Sequence, residues 1–254
     1  MRRATVDRDS ASAAPLTATH DIESDKPLTI LIPMSGEGKR FKEAGYKVPK
    51  PLLDVFGKPM IQRVVECLGL EGEYIFIVRH DLNADDLLKS ICKDCAIITT
   101  RVLTEGAACS TLLAKEQINN DHPLLIANAD QLVDWRPLEF LEAMKDADAG
   151  ILTFPACEPK WSYVTTDQNG LVAEVAEKKV ISNIATVGIY YYRHGSEYVK
   201  YAERMISKNI RVNGEFYVAP VFNEYIQDGK KVKTFQCEKM YGLGTPEDLA
   251  EYLK

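Results

Sequence analysis

Residues 28–59 read LTILIPMSGEGKRFKEAGYKVPKPLLDVFGKP and contain the features that decide the fold. The apolar run at residues 28–32 predicts a buried strand, because it is short, rich in leucine and isoleucine, and followed by proline and glycine. Gly36 and Gly38 then allow a sharp turn in which consecutive backbone N–H groups face one concavity that can receive phosphate oxygens. The stretch therefore predicts the first strand and an anion-facing loop of an α/β domain.

Strand-like apolar segments alternate with helical periodicity after this loop. The predicted elements lie, in chain order, at residues 59–68 (helix), 74–79 (strand), 84–92 (helix), 96–100 (strand), 107–117 (helix), 123–127 (strand), 137–145 (helix) and 150–154 (strand). Such alternation predicts a mostly parallel sheet with helices on both faces. The expected fold class is therefore α/β, with a Rossmann-like three-layer α/β/α arrangement.

The segment after Pro155 is predicted to be richer in strands. Residues 163–166 and 172–176 flank the turn Asp-Gln-Asn-Gly at 167–170, and Asn-Gly between two such runs is typical of a β-hairpin. A strand at 185–192, two helices, a strand at 232–236 and a short terminal helix complete the chain. We expect these segments to add a small β-rich portion to a mixed sheet.

Composition limits the partners and the compartment. The 254 residues are 46% hydrophobic and 27% charged, and a net charge of -6 provides no basic surface for nucleic acid. No apolar run approaches the ~20 residues that a membrane-spanning helix needs. The six scattered cysteines indicate reduced thiols in a cytoplasmic protein. Residues 1–26 are predicted to be a disordered extension and residues 27–254 one domain, with homo-oligomerisation left open.

Two basic residues follow the glycine turn. Arg40 and Lys50 add positive charge beside the loop, and Lys50 lies between two prolines that restrict its backbone. Other nucleotide motifs fit less well, because Phe41 replaces the third glycine of a dinucleotide fingerprint and no Ser or Thr follows Gly38-Lys39 as in a P-loop. The alternative is that the glycines only turn the chain.

Asp130 is the candidate metal ligand. It closes the segment Ala-Asn-Ala-Asp at 127–130, at the end of a predicted buried strand, which is where open α/β sheets bind ligands. Magnesium needs only one or two protein carboxylates when phosphate oxygens and waters complete its shell. The structural alternative is that Asp130 caps the helix predicted to begin near Pro137.

The order of these motifs resembles the signature of the nucleotidyltransferase family typified by sugar-1-phosphate nucleotidylyltransferases. The resemblance rests on the glycine loop, Pro-Lys-Pro at 49–51, Gly-Lys-Pro at 57–59, and the segments at 105–108, 127–130, 177–190 and 244–249, and it extends over residues 28–254. It implies a Mg²⁺-dependent enzyme that joins a nucleoside triphosphate to a phosphorylated small molecule, most simply a sugar phosphate, and releases pyrophosphate.

The resemblance also implies three groups of site residues. The catalytic group is Arg40, Lys50 and Asp130, with Asp130 binding the metal. The nucleotide-binding group is Met34, Ser35, Gly36, Gly38, Glu105, Gly106 and Ala107. The acceptor-binding group is Glu177, Lys178 and Asn183, although a solvated charged edge would also explain Glu177 and Lys178. The sequence departs from the family pattern at two positions. Gly242 stands where relatives commonly carry a second metal-binding aspartate, and Lys179 stands where they frequently carry proline.

Several functions remain open at this stage. The departures and the resemblance to compact cytidylyltransferases favour a pyrimidine nucleotide, with CTP ahead of UTP, and allow a non-sugar phosphate or phosphonate acceptor. A glycosyltransferase of similar fold is a further alternative, but it would normally need an Asp-x-Asp metal motif, and residues 128–130 supply one carboxylate. The last alternative is a protein that binds nucleotides as a regulator and has no catalytic activity. The resemblance further suggests precursors for polysaccharide biosynthesis.

Overall fold

A computed structural model describes residues 26–254 of the chain. The extension predicted for residues 1–26 therefore lies outside the described residues, apart from Lys26. The strands are β1 (Thr29–Met34), β2 (Asp54–Val55), β3 (Lys58–Pro59), β4 (Glu73–Arg79), β5 (Ala96–Thr100), β6 (Leu124–Ala127), β7 (Gln131–Asp134), β8 (Ala149–Pro155), β9 (Tyr163–Thr166), β10 (Val172–Ala176), β11 (Ile184–Tyr192), β12 (Val232–Gln236) and β13 (Lys239–Gly242). The helices are α1 (Lys39–Glu43), α2 (Met60–Leu68), α3 (Asp85–Ile91), α4 (Ala107–Thr111), α5 (Lys115–Ile118), α6 (Pro137–Ala143), α7 (Gly195–Ser207), α8 (Val221–Gln227) and α9 (Pro246–Tyr252).

The central sheet joins a parallel half to an antiparallel half. Its strand order is β10-β9-β11-β6-β1-β4-β5, and β8 pairs with both β11 and β12. β1 runs parallel to β4 and β6, and β4 runs parallel to β5. β11 is antiparallel to β6 and β8 and reaches β9 of the predicted hairpin. The carboxyl ends of β1 and β6 therefore lie side by side, next to the middle of β11.

Helices cover both faces of this sheet. Along β1 the side chain of Leu31 packs into one apolar core, whereas Ile30 and Ile32 pack into the other, because successive strand residues point to opposite faces. The first core contains buried residues of α4, α7 and α8, and the second contains those of α2, α3 and α6. The predicted three-layer α/β/α class is thus confirmed.

Three local predictions differ from the structure. The helix predicted at residues 107–117 is α4, a 3-10 turn at Leu112–Ala114, and then α5. The predicted loop after β1 contains α1, a 3-10 turn at Lys50–Leu52 and the β2–β3 ribbon. The pairing of β7 with β13 was not predicted, because each strand has four residues and the partners are about a hundred residues apart in sequence.

The structure also bears on the expectations for the cysteines and for membrane-spanning helices. The six cysteines are free thiols. Burial raises the pKa of the Cys92 thiol to about 11, so this residue is a poor nucleophile. Within residues 26–254, every helix is too short or too polar to span a bilayer.

Candidate active site

A cavity of about 260 Å³ opens at the carboxyl end of β6, beside the middle of β11. It collects charged side chains from segments that are far apart in sequence. Those from the predicted catalytic and acceptor groups are Arg40, Lys50, Asp130, Glu177 and Lys178. Lys160 and Asp248 also line it, so four cations and three carboxylates share one concave site at the edge of the sheet where ligands of α/β folds bind.

Lys50 forms an ion pair with Asp130. Its ammonium donates a hydrogen bond to Asp130 Oδ2 and lies 3.4 Å from the carbonyl oxygen of Gly244. The two side chains are 19% and 27% exposed, so each remains within reach of a ligand in the cavity. Gly38 has a φ of +63°, and a Cβ there would lie 3.4 Å from Lys50 Cβ. The glycine loop therefore packs closely against the lysine that faces the site.

The donor set around Asp130 fits magnesium. The backbone oxygen of Asp130 accepts a hydrogen bond of 2.8 Å from Leu243 N–H, which ties the turn between β6 and β7 to the residue that follows β13. Among residues 26–254 there is no group of three or more His, Cys, Asp or Glu side chains arranged to hold a metal. A single carboxylate suits magnesium, because this ion takes most of its remaining ligands from phosphate oxygens and water.

The predicted nucleotide-binding residues lie on two neighbouring loops. Ser35 Oγ, just after β1, is 3.2 Å from Ser110 Oγ in α4. Of this group, Ala107 lines the cavity, whereas the other described members lie outside its wall, namely Met34, Ser35, Gly36, Gly38, Glu105 and Gly106. The structure thus brings both loops to one side of the cavity without placing each residue on its surface.

The loop before α4 is anchored on the backbone of Phe216. Phe216 N–H donates to the Glu105 carbonyl at 2.8 Å, and Ala108 N–H donates to the Phe216 carbonyl at 3.0 Å. Gly106 lies between these bonds with a φ of +133°, and a Cβ there would be 2.4 Å from the Phe216 oxygen. Glycine is therefore required at position 106 for both conformation and space.

We expect Gly106→Ala to lower the free energy of unfolding by roughly 2–4 kcal/mol, through backbone strain and a clash with main-chain atoms. Urea denaturation measures this loss. The matched control is Gly214→Ala, because Gly214 also has a positive φ, +83°, but a Cβ there would meet no atoms within 4 Å. Equal losses in the two variants would show that contact with Phe216 contributes nothing.

The far end of the cavity carries Glu177 and Lys178. Glu177 accepts a hydrogen bond from Ser162 Oγ, and burial raises the pKa of its carboxyl group. Lys178 donates to the Tyr217 hydroxyl and lies 4.4 Å from the centre of that ring. Because this partner is neutral, the lysine keeps its charge available to an anion. Burial is also the main cause of the raised pKa of Tyr217, which keeps the phenol protonated.

Asn183 lies apart from the rest of the predicted acceptor group. It is exposed, and its side chain does not form part of the cavity wall. Its backbone carbonyl accepts a hydrogen bond of 3.1 Å from Ala156 N–H. This hydrogen bond holds the turn between β10 and β11 against the end of β8. The contact that the structure shows for Asn183 is therefore structural.

The cavity also contains residues that were not predicted from sequence. They include Gln131, Lys160, Trp161, Ser162 and Tyr217. Gln131 could have been suspected from its position next to Asp130, whereas Tyr217 carries no local signal. At Gly242, a Cβ would lie 2.8 Å from Trp161 Cη2. The indole therefore occupies the space into which a carboxylate at this position would project.

Comparison with known proteins agrees with this arrangement. The family model described as "Nucleotidyl transferase" matches residues 30–254. The chain belongs to the nucleotidyl transferase family. The residues matched by the family model are nearly the same as those over which the sequence resembles this family, 28–254.

Individual relatives of this nucleotidyl transferase are distant. The Bifunctional protein GlmU of Desulfotalea psychrophila is 25% identical over 229 residues, covering 84% of this chain and 65% of the relative. A mannose-1-phosphate guanyltransferase of Yarrowia lipolytica is 31% identical over 173 residues, covering 63% of this chain and 48% of the relative. The transferase thus spans about half to two thirds of the length of these curated relatives.

Solved structures share the fold of the nucleotidyl transferase. The nucleoside-diphosphate-sugar pyrophosphorylase from Vibrio cholerae aligns with a TM-score of 0.76 at 22% identity, covering 88% of this chain and 99% of that one. A UDP-glucose pyrophosphorylase complexed with UDP-glucose aligns with a TM-score of 0.70 at 19% identity, covering 89% and 97% of the two chains. At these identities the likeness establishes the fold alone.

Proposed function

We propose that this nucleotidyl transferase joins a nucleoside triphosphate to a phosphorylated small molecule, most simply a sugar phosphate, and releases pyrophosphate with the help of Mg²⁺. The main support is the convergence of Arg40, Lys50 and Lys178 with the carboxylate of Asp130 in one cavity. With Lys160, four cations line the cavity, which is more than one phosphate needs, whereas a triphosphate and a phosphorylated acceptor together would use them. We propose one domain over residues 27–254.

The reaction requires alignment and charge neutralisation more than proton transfer. A phosphate oxygen of the acceptor attacks the α-phosphorus, the bond between that phosphorus and the bridging oxygen to the β-phosphate breaks, and pyrophosphate departs with the bond's electrons. Arg40 and Lys50 neutralise the triphosphate, and Lys178 positions the acceptor phosphate. Magnesium on Asp130 supplies further neutralisation of the phosphates when bound. The acceptor phosphate is already anionic, so no histidine base is needed.

Two aromatic rings of the cavity favour a hydroxyl-bearing acceptor over a cationic one. Lys160 Nζ lies 4.8 Å from the Trp161 ring, and Lys178 Nζ lies 4.4 Å from the Tyr217 ring. These faces are therefore already covered by ammonium groups, and a choline-like head group would meet like charge there. A sugar phosphate fits this environment. A neutral or anionic non-sugar phosphate or phosphonate is the second candidate, because the cations would accept it equally.

We expect a pyrimidine triphosphate to be the preferred nucleotide, with CTP ahead of UTP. We propose that backbone groups of the segment at residues 104–111, beside its small side chains, read the base along its hydrogen-bonding edge, where a mispaired buried polar group would cost ~1–3 kcal/mol. This corresponds to roughly 5- to 150-fold in kcat/KM. Competition between the triphosphates measures the preference. Greater activity with GTP or ATP would contradict it and indicate a purine-nucleotide sugar enzyme.

The activity itself is tested with a matrix of the four ribonucleoside triphosphates and dTTP against phosphorylated acceptors, read by pyrophosphate release. We expect release that requires both substrates and magnesium. Release of a nucleoside diphosphate from a nucleotide-sugar would instead indicate a glycosyltransferase. Nucleotide binding without turnover across the matrix would indicate a regulator. We place the reaction in the cytoplasm, in the supply of precursors for polysaccharide biosynthesis.

A further inference from the structure

The carboxamide of Gln131 lines the cavity without a protein partner. Gln131 follows Asp130 directly and is the first residue of β7. Its Oε1 atom is buried and has no hydrogen-bond partner among the described residues. Buried polar atoms are almost always paired, because an unpaired one has lost its contact with water without compensation. Because the residue that carries this atom lines the cavity, the unpaired acceptor is a candidate to receive a donor from a ligand.

Two glycines allow side chains of the cavity wall to pack closely against the backbone around this carboxamide. A Cβ at Gly188 would lie 2.4 Å from Gln131 Oε1 and 2.3 Å from Asn128 Nδ2, and Gly188 has a φ of +94°. Gly242 is the cross-strand partner of Gln131, and a side chain there would meet Trp161. Any larger residue at either position would crowd the amide or the indole. The two glycines therefore allow the side chains of Gln131 and Trp161 to pack directly against the backbone of β11 and β13.

Gln131 lies at the acceptor end of the cavity. Gly188 is in the bulged part of β11 between Thr186 and Tyr190, whose hydroxyl groups are 3.1 Å apart. Thr186 N–H in turn donates to the carbonyl of Ser162, the residue whose hydroxyl binds Glu177. The loop assigned to the nucleotide is anchored elsewhere, on Phe216. Gln131 is therefore closer in the fold to the acceptor-binding group than to the base loop.

We propose that Gln131 is a specificity-determining residue, and that its carboxamide oxygen accepts a hydrogen bond from a hydroxyl group of the phosphorylated acceptor. This inference rests on the proposed function and adds a residue that reads the acceptor beside the metal-binding aspartate. A site that pairs with a substrate hydroxyl discriminates strongly against analogues that lack it, because its own polar atom is then left unpaired. Gln131 would thus distinguish hydroxylated acceptors from deoxy analogues.

The test is Gln131→Met, which keeps an unbranched side chain of similar length and removes the oxygen. We expect the KM for the best acceptor to rise about tenfold or more, with the KM for the triphosphate within twofold of wild type. The matched control is Gln236→Met, since Gln236 is also a strand residue but is exposed outside the cavity. Thermal unfolding verifies that the variants are folded, and Gln131→Ala should show the same rise in KM.

A series of monodeoxy acceptors then separates recognition from structure. In wild type, removal of one particular hydroxyl should raise the acceptor KM by about tenfold, whereas in Gln131→Met the same removal should change it by less than twofold. An unchanged acceptor KM in both Gln131 variants, or a rise only in the triphosphate KM, would overturn the role of Gln131 while leaving the proposed function intact. Absence of turnover by wild type with every acceptor would overturn both.

Discussion

Replacing Asp130 with asparagine is expected to lower turnover by about a thousandfold without unfolding the protein. The amide has nearly the volume of the carboxylate but binds magnesium poorly, and loss of the metal removes several kcal/mol of charge stabilisation, of which about 4 kcal/mol gives this factor. The amide oxygen can still accept a hydrogen bond from Lys50, the present partner of Asp130. Steady-state turnover as a function of magnesium concentration is the measurement.

The control for this change is Asp134→Asn at the far end of β7, the strand that follows Asp130. Asp134 is exposed and lies outside the cavity wall, where its carboxylate accepts a hydrogen bond of 3.2 Å from Tyr241. Its variant should keep full turnover. Unchanged activity of Asp130→Asn at limiting magnesium would reject the metal assignment. The N-cap of α6 is Arg136 and not Asp130, so a melting temperature that falls together with activity would instead favour a structural role for Asp130 through its contacts with Lys50 and Leu243.

Lys50→Ala should reduce kcat more than it weakens nucleotide binding. Negative charge accumulates on the departing pyrophosphate as the bond breaks, so a cation at this position stabilises the transition state more than the bound substrate. By analogy with a lost oxyanion donor, the barrier should rise by roughly 2–4 kcal/mol, which is about 30- to 900-fold in rate. Single-turnover kinetics at saturating triphosphate measures the chemical step.

Lys47→Ala is the matched control, because Lys47 is on the same loop but exposed and outside the cavity wall. It should leave kcat within twofold of wild type. A Lys50 variant in which only the KM for the triphosphate rises would show that the lysine binds substrate and transition state equally. In that case the catalytic role assigned to Lys50 would be wrong, although its place in the site would stand.

Elements with a strong local pattern could be predicted from the sequence. The β9–β10 hairpin was predicted at its observed bounds because an Asn-Gly turn separates two short β-rich runs. β5 and β12 were also predicted at their observed bounds. Short elements with a weak local pattern were not predicted. An example is α1, which begins after Gly38 in the left-handed conformation and has no side chain that caps its N-terminus.

The candidate site was predictable only where a motif marks it. Lys50 and Asp130 belong to recognisable segments, and the structure brings them together although they are 80 positions apart. Trp161 and Tyr217 reach the cavity through sheet topology and the packing of α8 and its preceding loop, which no local pattern encodes. The position of Gln131 next to Asp130 is a local signal, but its surroundings become known only from the pairing of β7 with β13 and its close approach to Gly188.

Phosphorus NMR of a complete reaction provides the most direct test that this chain transfers a nucleotidyl group. Wild-type protein, magnesium, the best triphosphate and its best acceptor should yield pyrophosphate and a product whose two phosphorus signals are coupled across a new diphosphate bridge. The signals should appear in equal amounts and should require both substrates. Release of inorganic phosphate or of a nucleoside diphosphate, with no coupled pair, would contradict nucleotidyl transfer.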